Sequence, residues 1–208
     1  MFFIDKTWIF GSLIIDILDI LEKMSNENLH CSTFPKDSNK ILGVRIKLEI
    51  ARPKDAAEIC ALRNATAKKL TEVHGAGPWS ARTSEKWILF ALRNSSVFVA
   101  RHRNKIIATL ALGTKKPWAI DRKYFSKCQR PLYLTSMAVA AERQRQGIGK
   151  LCVEAAVKIA GDWPADAIFL DAYDAAAGAG EFYRKCGFRE TGRATYREVP
   201  LIYFELLL

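Results

Sequence analysis

The sequence has few of the residues on which metal centres and disulfide frameworks depend. Its 208 residues include 3 histidines and 5 cysteines, and no two cysteines form a C-x-x-C pair. This scarcity predicts no metal site and no disulfide framework, and it favours a reducing cytoplasm. Cys152 and Cys186 fall within apolar helical patterns, where a cysteine packs as a small hydrophobic residue more often than it acts as a nucleophile.

The standard nucleotide-binding fingerprints and a membrane-spanning run are also missing. Neither G-x-G-x-x-G nor the P-loop G-x-x-x-x-G-K-[ST] occurs, and no internal repeat or low-complexity tract is evident. The apolar stretch from Trp8 to Lys23 contains Asp16 and Asp19, so it is too short and too acidic for a bilayer span. No small-x-small cleavage site follows it, which argues against a signal peptide.

The first part of the chain is expected to stand apart from the folded domain. Polar residues at helical spacing in the apolar stretch predict an amphipathic helix, and a polar linker follows. We therefore assign residues 1–43 to an N-terminal extension and residues 44–208 to one domain. Met24 offers an alternative start, which would make residues 1–23 an upstream extension.

Acidic residues are scarce in the middle of a chain whose formal net charge is +10. Between positions 101 and 130 Asp121 is the single acid, and the basic residues there are Arg101, Arg103, Lys105, Lys115, Lys116, Arg122, Lys123, Lys127 and Arg130. Such a cluster suits a nucleic-acid surface or a general attraction for an anionic ligand. A nucleic-acid partner is disfavoured because no recognised binding motif accompanies the charge.

Strand and helix signals alternate in the first half of the domain. Residues 45–50 alternate as a half-buried strand does, and Asp55 is expected to cap a helix over 57–70. Ser84 is expected to cap a second helix. A hairpin is predicted to follow, with strands at 96–100 and 105–112 that turn at Arg103-Asn104.

A loop rich in Arg, Gln and Gly joins a predicted strand at 132–139 to a helix after Lys150. This arrangement directs backbone N–H groups and the positive end of a helix dipole at one point, where a phosphate group can bind. Gly147 and Gly149 lack Cβ atoms, so a ligand can approach the main chain. The alternative is a tight strand–helix connection with solvated arginines.

Two motifs in this half resemble those of the GNAT superfamily of N-acyltransferases. Gln144-x-x-Gly147-x-Gly149 resembles the family's acyl-CoA pyrophosphate signature, and Phe182-Tyr183-x-x-x-Gly187-Phe188 resembles its second signature, after a predicted strand at 168–173. The resemblance covers roughly residues 48–208. It implies an α/β GNAT fold in which helices flank a central mixed, mostly antiparallel twisted sheet of about six to seven strands.

The resemblance also implies acetyl-CoA as co-substrate, with no metal. The residues it assigns to cofactor binding are Met137, Val139, Gln144, Arg145, Gln146, Gly147, Gly149 and Lys150. Family members often carry an asparagine seven residues before the motif tyrosine, and here that position is Ala176. The cofactor arm is then held differently, or small residues open space for a bulky acceptor.

Tyr183 matches the family tyrosine that protonates the departing thiolate, although a core tyrosine on the helix face is the alternative. Asp171 aligns with the glutamate that ribosomal-protein alanine acetyltransferases use as a base, and its apolar neighbours favour a raised pKa. The alternative is a strand-end aspartate bonded to a turn. Other candidates for the base are Tyr133, Glu181, Asp121 and Asp174.

The predicted function is transfer of an acetyl group from acetyl-CoA to a primary amine of an unidentified small-molecule or peptide acceptor. The alternative is a catalytically silent acyl-CoA-binding or regulatory module of the same fold. Residues 113–131 exceed the usual family connection and form either a surface insertion or a wall of the acceptor pocket. An apolar first helix and the tail at 206–208 are compatible with a homodimer.

Overall fold

The computed structural model describes residues 46–208, so the predicted extension at 1–43 and the domain boundary at 44 lie outside the described residues. The strands in this range are β1 (Leu48–Ile50), β2 (Ser96–His102), β3 (Lys105–Gly113), β4 (Pro131–Val139), β5 (Ala167–Tyr173), β6 (Arg189–Tyr196) and β7 (Val199–Leu207). The α-helices are α1 (Ala56–His74), α2 (Glu85–Asn94), α3 (Ile148–Asp162) and α4 (Gly180–Lys185).

These strands form one sheet in the order β1-β2-β3-β4-β5-β7-β6. Only the β4–β5 pair is parallel, and the other neighbours in the sheet are antiparallel. The mixed, mostly antiparallel sheet flanked by helices confirms the predicted fold class. The parallel pair requires a crossover, and α3 provides it.

The first strand and helix differ in detail from the sequence prediction. β1 is shorter than the predicted 45–50, and α1 extends beyond 57–70 at both ends. The prediction that Asp55 caps α1 is wrong. Its carboxylate accepts a hydrogen bond from the backbone N–H of Arg52 at 2.8 Å and pairs with Arg101 of β2 at 2.8 Å. Asp55 therefore connects the turn before α1 to β2 and does not cap the helix.

The other local predictions in this half are confirmed. Ser84 caps α2 by accepting a hydrogen bond from the N–H of Trp87 at 3.2 Å. β2 and β3 form the expected hairpin, and Arg103 and Asn104 both have positive φ angles, of 48° and 66°. Two consecutive residues in the left-handed region match the twist of a tight hairpin turn.

The sheet has a buried cluster on each face of β5. Ile168 and Leu170 face α3 and pack with its apolar stripe, whereas Phe169 packs on the opposite face with Tyr203 and Phe125. Because side chains alternate along a strand, Asp171 shares the second face with Phe169.

The segment between β3 and β4 packs over this second face. The hydroxyl of Tyr203 donates to the carbonyl of Ala119 at 2.6 Å, and the backbone N–H of Ser126 donates to the buried carboxylate of Glu205 at 2.8 Å. Phe125 stacks on Phe169 with ring centroids 4.4 Å apart. The segment is therefore anchored to the sheet beside the face that carries Asp171.

The C-terminal region contains one element that the sequence did not signal. This element is β6, whose half-exposed sequence is rich in charged residues and pairs with the last strand, β7. α4 is also short, since residues 174–179 form a turn and not the start of a helix. Among residues 46–208, none of the helices is long and apolar enough to cross a bilayer.

Candidate active site

The sheet divides between β4 and β5. Their parallel register includes three pairs and ends at Tyr133 and Phe169, although β4 continues to Val139 and β5 to Tyr173. Beyond this point the backbone edge of β4 has no partner on β5. An extended, amide-rich ligand can use such an edge as an additional strand would.

A β-bulge shapes this free part of β4. Thr109 of β3 is opposite Ala138 and Ala111 is opposite Thr135, so Ser136 and Met137 together face one residue of β3. Ser136 has a φ of 55°, in the left-handed region. Bulges redirect backbone groups and side chains, and they occur often beside active sites.

The loop after β4 presents the N-terminus of α3 without a side-chain cap. Arg145 and Gly147 have φ angles of 60° and 77°, and Gly147 occupies the left-handed N-cap position. The first helical hydrogen bond runs from the N–H of Leu151 to the carbonyl of Gly147 at 3.2 Å. The N–H groups that precede Leu151 in the first turn therefore have no acceptor within the helix, and such a helix start can bind an anion.

The side chains of the predicted loop residues have different surroundings. The side-chain amide of Gln144 donates to the backbone carbonyl of Val139 at 3.1 Å, and that of Gln146 donates to the backbone carbonyl of Glu142 at 3.1 Å. Both side chains therefore stabilise the conformation of the loop. Arg145 is exposed. The exposed Lys150 lies 4.0 Å from Glu154, a separation at which an ion pair on a helix surface is weak.

Gly149 lies where three elements meet. A Cβ atom at this position would be 3.1 Å from the ring of Phe182 on α4 and 3.7 Å from the side chain of Met137 on β4. The absence of a side chain thus allows the start of α3 to approach the tyrosine-bearing helix. This packing role adds to the ligand access that the sequence suggested.

Tyr183 lies beside the division of the sheet. It is 7% exposed, and its ring packs against Phe188 and Phe204 at centroid distances of 5.6 and 6.0 Å. Its hydroxyl points to the sulfur of Met137 at 3.8 Å. Burial raises the pKa of Tyr183 above its usual range, so the phenol stays protonated.

Asp171 lies on β5 at the other side of the division. It is half-buried, and burial raises the pKa of its carboxyl group. Its negative charge contributes to the raised pKa of Tyr183 and of Tyr173, so Asp171 lies within electrostatic range of both. Asp171 forms no ion pair with any basic residue in 46–208, so its carboxylate is available to a ligand.

The other candidates for the base are engaged elsewhere. Asp121 accepts a hydrogen bond from the N–H of Lys123 and pairs with its side chain at 3.0 Å. Asp174 pairs with Arg193 at 2.8 Å. Glu181 is exposed and lies near Arg184 and Lys185. Tyr133 is buried in the core.

Tyr173, on the same strand as Asp171, contacts a distant segment that the sequence did not indicate. Trp79, in the loop between α1 and α2, meets the ring of Tyr173 edge-on at a centroid distance of 6.0 Å. Tyr173 is two positions beyond Asp171 and therefore shares its face. No periodic pattern or short motif connects Trp79 with β5, so the contact required the tertiary structure.

The described region favours neither a metal centre nor a cysteine nucleophile at Cys152. Among residues 46–208, no group of three or more His, Cys, Asp and Glu side chains could hold a metal ion. Burial raises the pKa of the Cys152 thiol to about 12, which leaves no thiolate near neutral pH. Cys152 therefore packs in the core, as expected.

Comparison with known proteins agrees with this architecture. A family model described as the acetyltransferase (GNAT) family matches residues 60–188. No curated protein matches the sequence.

Solved structures share the fold at low sequence identity. A GNAT-family acetyltransferase from Listeria monocytogenes is 18% identical, with a TM-score of 0.65, and the match covers 81% of this chain and 98% of that one. The ribosomal-protein-S18-alanine N-acetyltransferase of Escherichia coli is 16% identical, with a TM-score of 0.57 and coverage of 78% and 93%. A Salmonella typhimurium protein solved with its cofactor acetyl-CoA is 14% identical, with the same TM-score and coverage of 78% and 93%.

Proposed function

The chain belongs to the GNAT family of acetyltransferases, and from this premise we propose that it moves an acetyl group from acetyl-CoA directly to a primary amine. The observation that carries the proposal is the divided sheet. Its opening has Met137 and Tyr183 on one side and Asp171 on the other, and β4 leads from it to the uncapped start of α3.

The diphosphate of acetyl-CoA would bind at the start of α3. The donors are the backbone N–H groups of Arg145, Gln146, Gly147, Gly149 and Lys150, and the Arg145 side chain adds positive charge. The free edge of β4 near Met137 would bind the pantetheine arm through main-chain hydrogen bonds. The carbonyl of Val139 already accepts hydrogen bonds from Gln144 and Thr66, so Val139 would act through its side chain or N–H group.

Acyl transfer then needs one proton removed from the amine and one supplied to the thiolate. Asp171 would take the amine proton, directly or through a water molecule, as the nitrogen attacks the thioester carbonyl. The C–N bond forms, the C–S bond breaks, and Tyr183 gives its proton to the leaving sulfur. Proton transfer by positioned side chains accelerates such steps by about 10²- to 10⁴-fold.

The electrostatics of both groups support these roles. A raised pKa makes Asp171 a stronger base than an exposed aspartate, because burial penalises its charged form. Tyr183 remains protonated in the resting protein for the same reason, so a proton is present on the phenol when the thiolate forms. The electrostatic interaction between the two groups supports both transfers at one acyl group.

The proposal is tested by release of free CoA when protein, acetyl-CoA and a panel of primary amines are mixed. Turnover that depends on the amine and is lost in Asp171→Asn and Tyr183→Phe would support it. Measurable CoA binding with no turnover on any amine would instead favour a catalytically silent acyl-CoA-binding module. A cytoplasmic location, a small-molecule or peptide acceptor and a homodimer remain predictions.

A further inference from the structure

The loop between α1 and α2 is fixed against α1 by side-chain hydrogen bonds. The amide of Asn64 donates to the carbonyl of Thr83 at 3.1 Å and accepts from its N–H at 2.9 Å. The hydroxyl of Thr71 donates to that of Ser80 at 2.7 Å. Trp79, between these two anchors, donates from its indole N–H to the carbonyl of Gly75 at 3.0 Å. The ring of Trp79 beside Tyr173 is therefore held in place.

Arg63 of α1 points between this loop and the sheet. Ile59 and Leu62 are buried against the sheet, whereas Asn64 faces the loop. At about 100° of rotation per residue, Arg63 lies between the direction of Ile59 and that of Asn64. Arg63 therefore lies on the side of α1 between the sheet and the loop, and its charge interacts with Tyr173.

Arg63 lacks an ion-pair partner among the described residues. The side chain is half-buried, yet it forms no ion pair with any acidic residue in 46–208. By contrast, Arg101 and Arg193 each have a carboxylate at 2.8 Å. Burial lowers the pKa of Arg63, and its positive charge partly offsets the increase that burial and Asp171 cause in the pKa of Tyr173. A partly desolvated guanidinium without a partner is costly and is stabilised by an anion.

We propose that Arg63 binds the carboxylate of the acceptor, so that the acceptor class is a primary amine carrying an acid group, such as an amino acid. This inference rests on the proposed function and specifies its substrate. Tyr173 is two positions from Asp171, a Cα separation of about 7 Å along a strand. The amine would lie at Asp171, the acid group at Arg63, and the rings of Trp79 and Tyr173 would flank the carbon skeleton.

The charges of this face agree with such an acceptor. An arginine fork binds a carboxylate through two parallel hydrogen bonds, which fixes its orientation. Asp171 is the carboxylate that faces this site from β5, and it is needed for the incoming amine. A polyamine would bring a second positive charge towards Arg63 and would be repelled.

The test compares amino acids with their amides, which keep the shape and the amine but lack the negative charge. Free-CoA release is measured for L-phenylalanine, L-leucine and L-methionine and for the three amides, with rates corrected to the concentration of free amine. We expect the acids to be favoured at least tenfold in kcat/KM. Arg63→Gln should reduce kcat/KM for the acids by about 10- to 100-fold and leave the amides unchanged, since a charged hydrogen-bond pair is lost.

Two variants sharpen the comparison. Arg63→Lys keeps the charge without the fork and should retain part of the preference. Arg82→Gln removes an exposed arginine from the same loop and should leave the preference intact. Equal use of acids and amides by the unaltered protein, or a preference that survives Arg63→Gln, overturns the inference.

Failure of the proposed function would give a different result, namely no CoA release with any amine. In that event calorimetry with the N-acetylated forms of the three amino acids, in the presence of CoA, still decides the inference. Binding that weakens at least tenfold in Arg63→Gln supports an acid-binding site. Equal binding to both proteins, or none to either, overturns it.

Discussion

The hydroxyl of Tyr183 lies 3.8 Å from the sulfur of Met137, and this contact connects α4 to the bulged part of β4. Sulfur is a weak hydrogen-bond acceptor, so a buried phenol that faces it is incompletely satisfied. The hydroxyl can therefore turn to a stronger acceptor, such as a thiolate that forms in the opening of the sheet. This relationship distinguishes Tyr183 from the buried Tyr203, whose hydroxyl already donates to a carbonyl oxygen.

Replacement of the Tyr183 hydroxyl should separate catalysis from binding. We expect Tyr183→Phe to lower kcat by about 10²-fold or more, because the leaving thiolate loses its proton donor. The affinity for CoA, measured by calorimetry, should change less than threefold, because the phenyl ring retains its packing. Tyr196→Phe, on β6, should leave both quantities unchanged. A Tyr183→Phe variant with normal kcat would make this tyrosine structural.

The pH dependence of turnover should report Asp171. Its carboxyl pKa is raised above the ordinary value of 3.8 by burial, and only the ionised form can accept a proton. The kcat/KM profile should therefore have an acidic limb centred above pH 3.8, separate from the limb at higher pH where the free amine deprotonates. The limb should disappear in Asp171→Asn, together with most of the activity, and shift in Asp171→Glu. If the acidic limb persists in Asp171→Asn, the limb reports the titration of another group.

The same raised pKa makes Asp171 a cost to the stability of the fold near neutral pH. The folded state holds this proton more tightly than the unfolded state, so the free energy of unfolding falls as pH rises from the unfolded pKa through the folded one. Asp171→Asn should therefore be more stable than the original protein at pH 7.5, and the difference should shrink as pH falls towards 3.8. Urea unfolding at a series of pH values measures this difference.

A control substitution at another aspartate shows whether the increased stability of Asp171→Asn is specific to that position. Asp162→Asn alters an exposed aspartate at the end of α3 and should change the free energy of unfolding by less than about 0.5 kcal/mol. An Asp171→Asn variant that is less stable than the original at pH 7.5 would mean that the carboxylate has a structural partner.

The sequence was sufficient for much of the fold because its signals are local. The paired positive-φ residues Arg103 and Asn104 and the Ser84 cap each depend on a few neighbouring residues, and the glycines before α3 and after α4 lie within short motifs. Asp55 was misassigned because a distant partner, Arg101, competes for the carboxylate that would otherwise cap α1. Trp79 and Arg63 were not identified because their proximity to β5 depends on how α1 crosses the sheet, which no local pattern encodes.

The segment between β3 and β4 should depend on Glu205 for its position. This carboxylate is 1% exposed, accepts hydrogen bonds from the N–H and hydroxyl of Ser126, and pairs with Arg189. Glu205→Gln should lower the free energy of unfolding at pH 7 by about 1.5–3 kcal/mol, because charged hydrogen bonds are replaced by weaker ones. These partners hold the pKa of Glu205 below its usual 4.5, so the loss should vanish as pH falls through the lowered folded value.

The control for this change is Glu181→Gln. Glu181 is 69% exposed and its partners are surface residues of the same helix, so its replacement should cost less than about 1 kcal/mol. Urea unfolding at pH 7 and at a series of pH values below 4.5 gives both comparisons. An effect of Glu205→Gln that is independent of pH would assign the loss to packing and not to charge.

Charge at the start of α3 should decide the affinity for CoA, and Gly147 allows charge to be separated from backbone strain. Its φ of 77° strains any residue with a side chain, but asparagine and aspartate have the same size and both tolerate this region. Gly147→Asn therefore measures the strain, whereas Gly147→Asp adds a negative charge beside the expected diphosphate. We expect the Asp variant to bind CoA about tenfold or more weakly than the Asn variant, which corresponds to about 1.4 kcal/mol of repulsion.

Because salt screens the charges, the difference in affinity measured by calorimetry should narrow between 0.05 and 0.5 M NaCl, roughly the range over which the Debye length falls below 10 Å. Equal affinities of the two variants at low salt would mean that the diphosphate binds away from this helix, and the assignment of the loop would then be wrong.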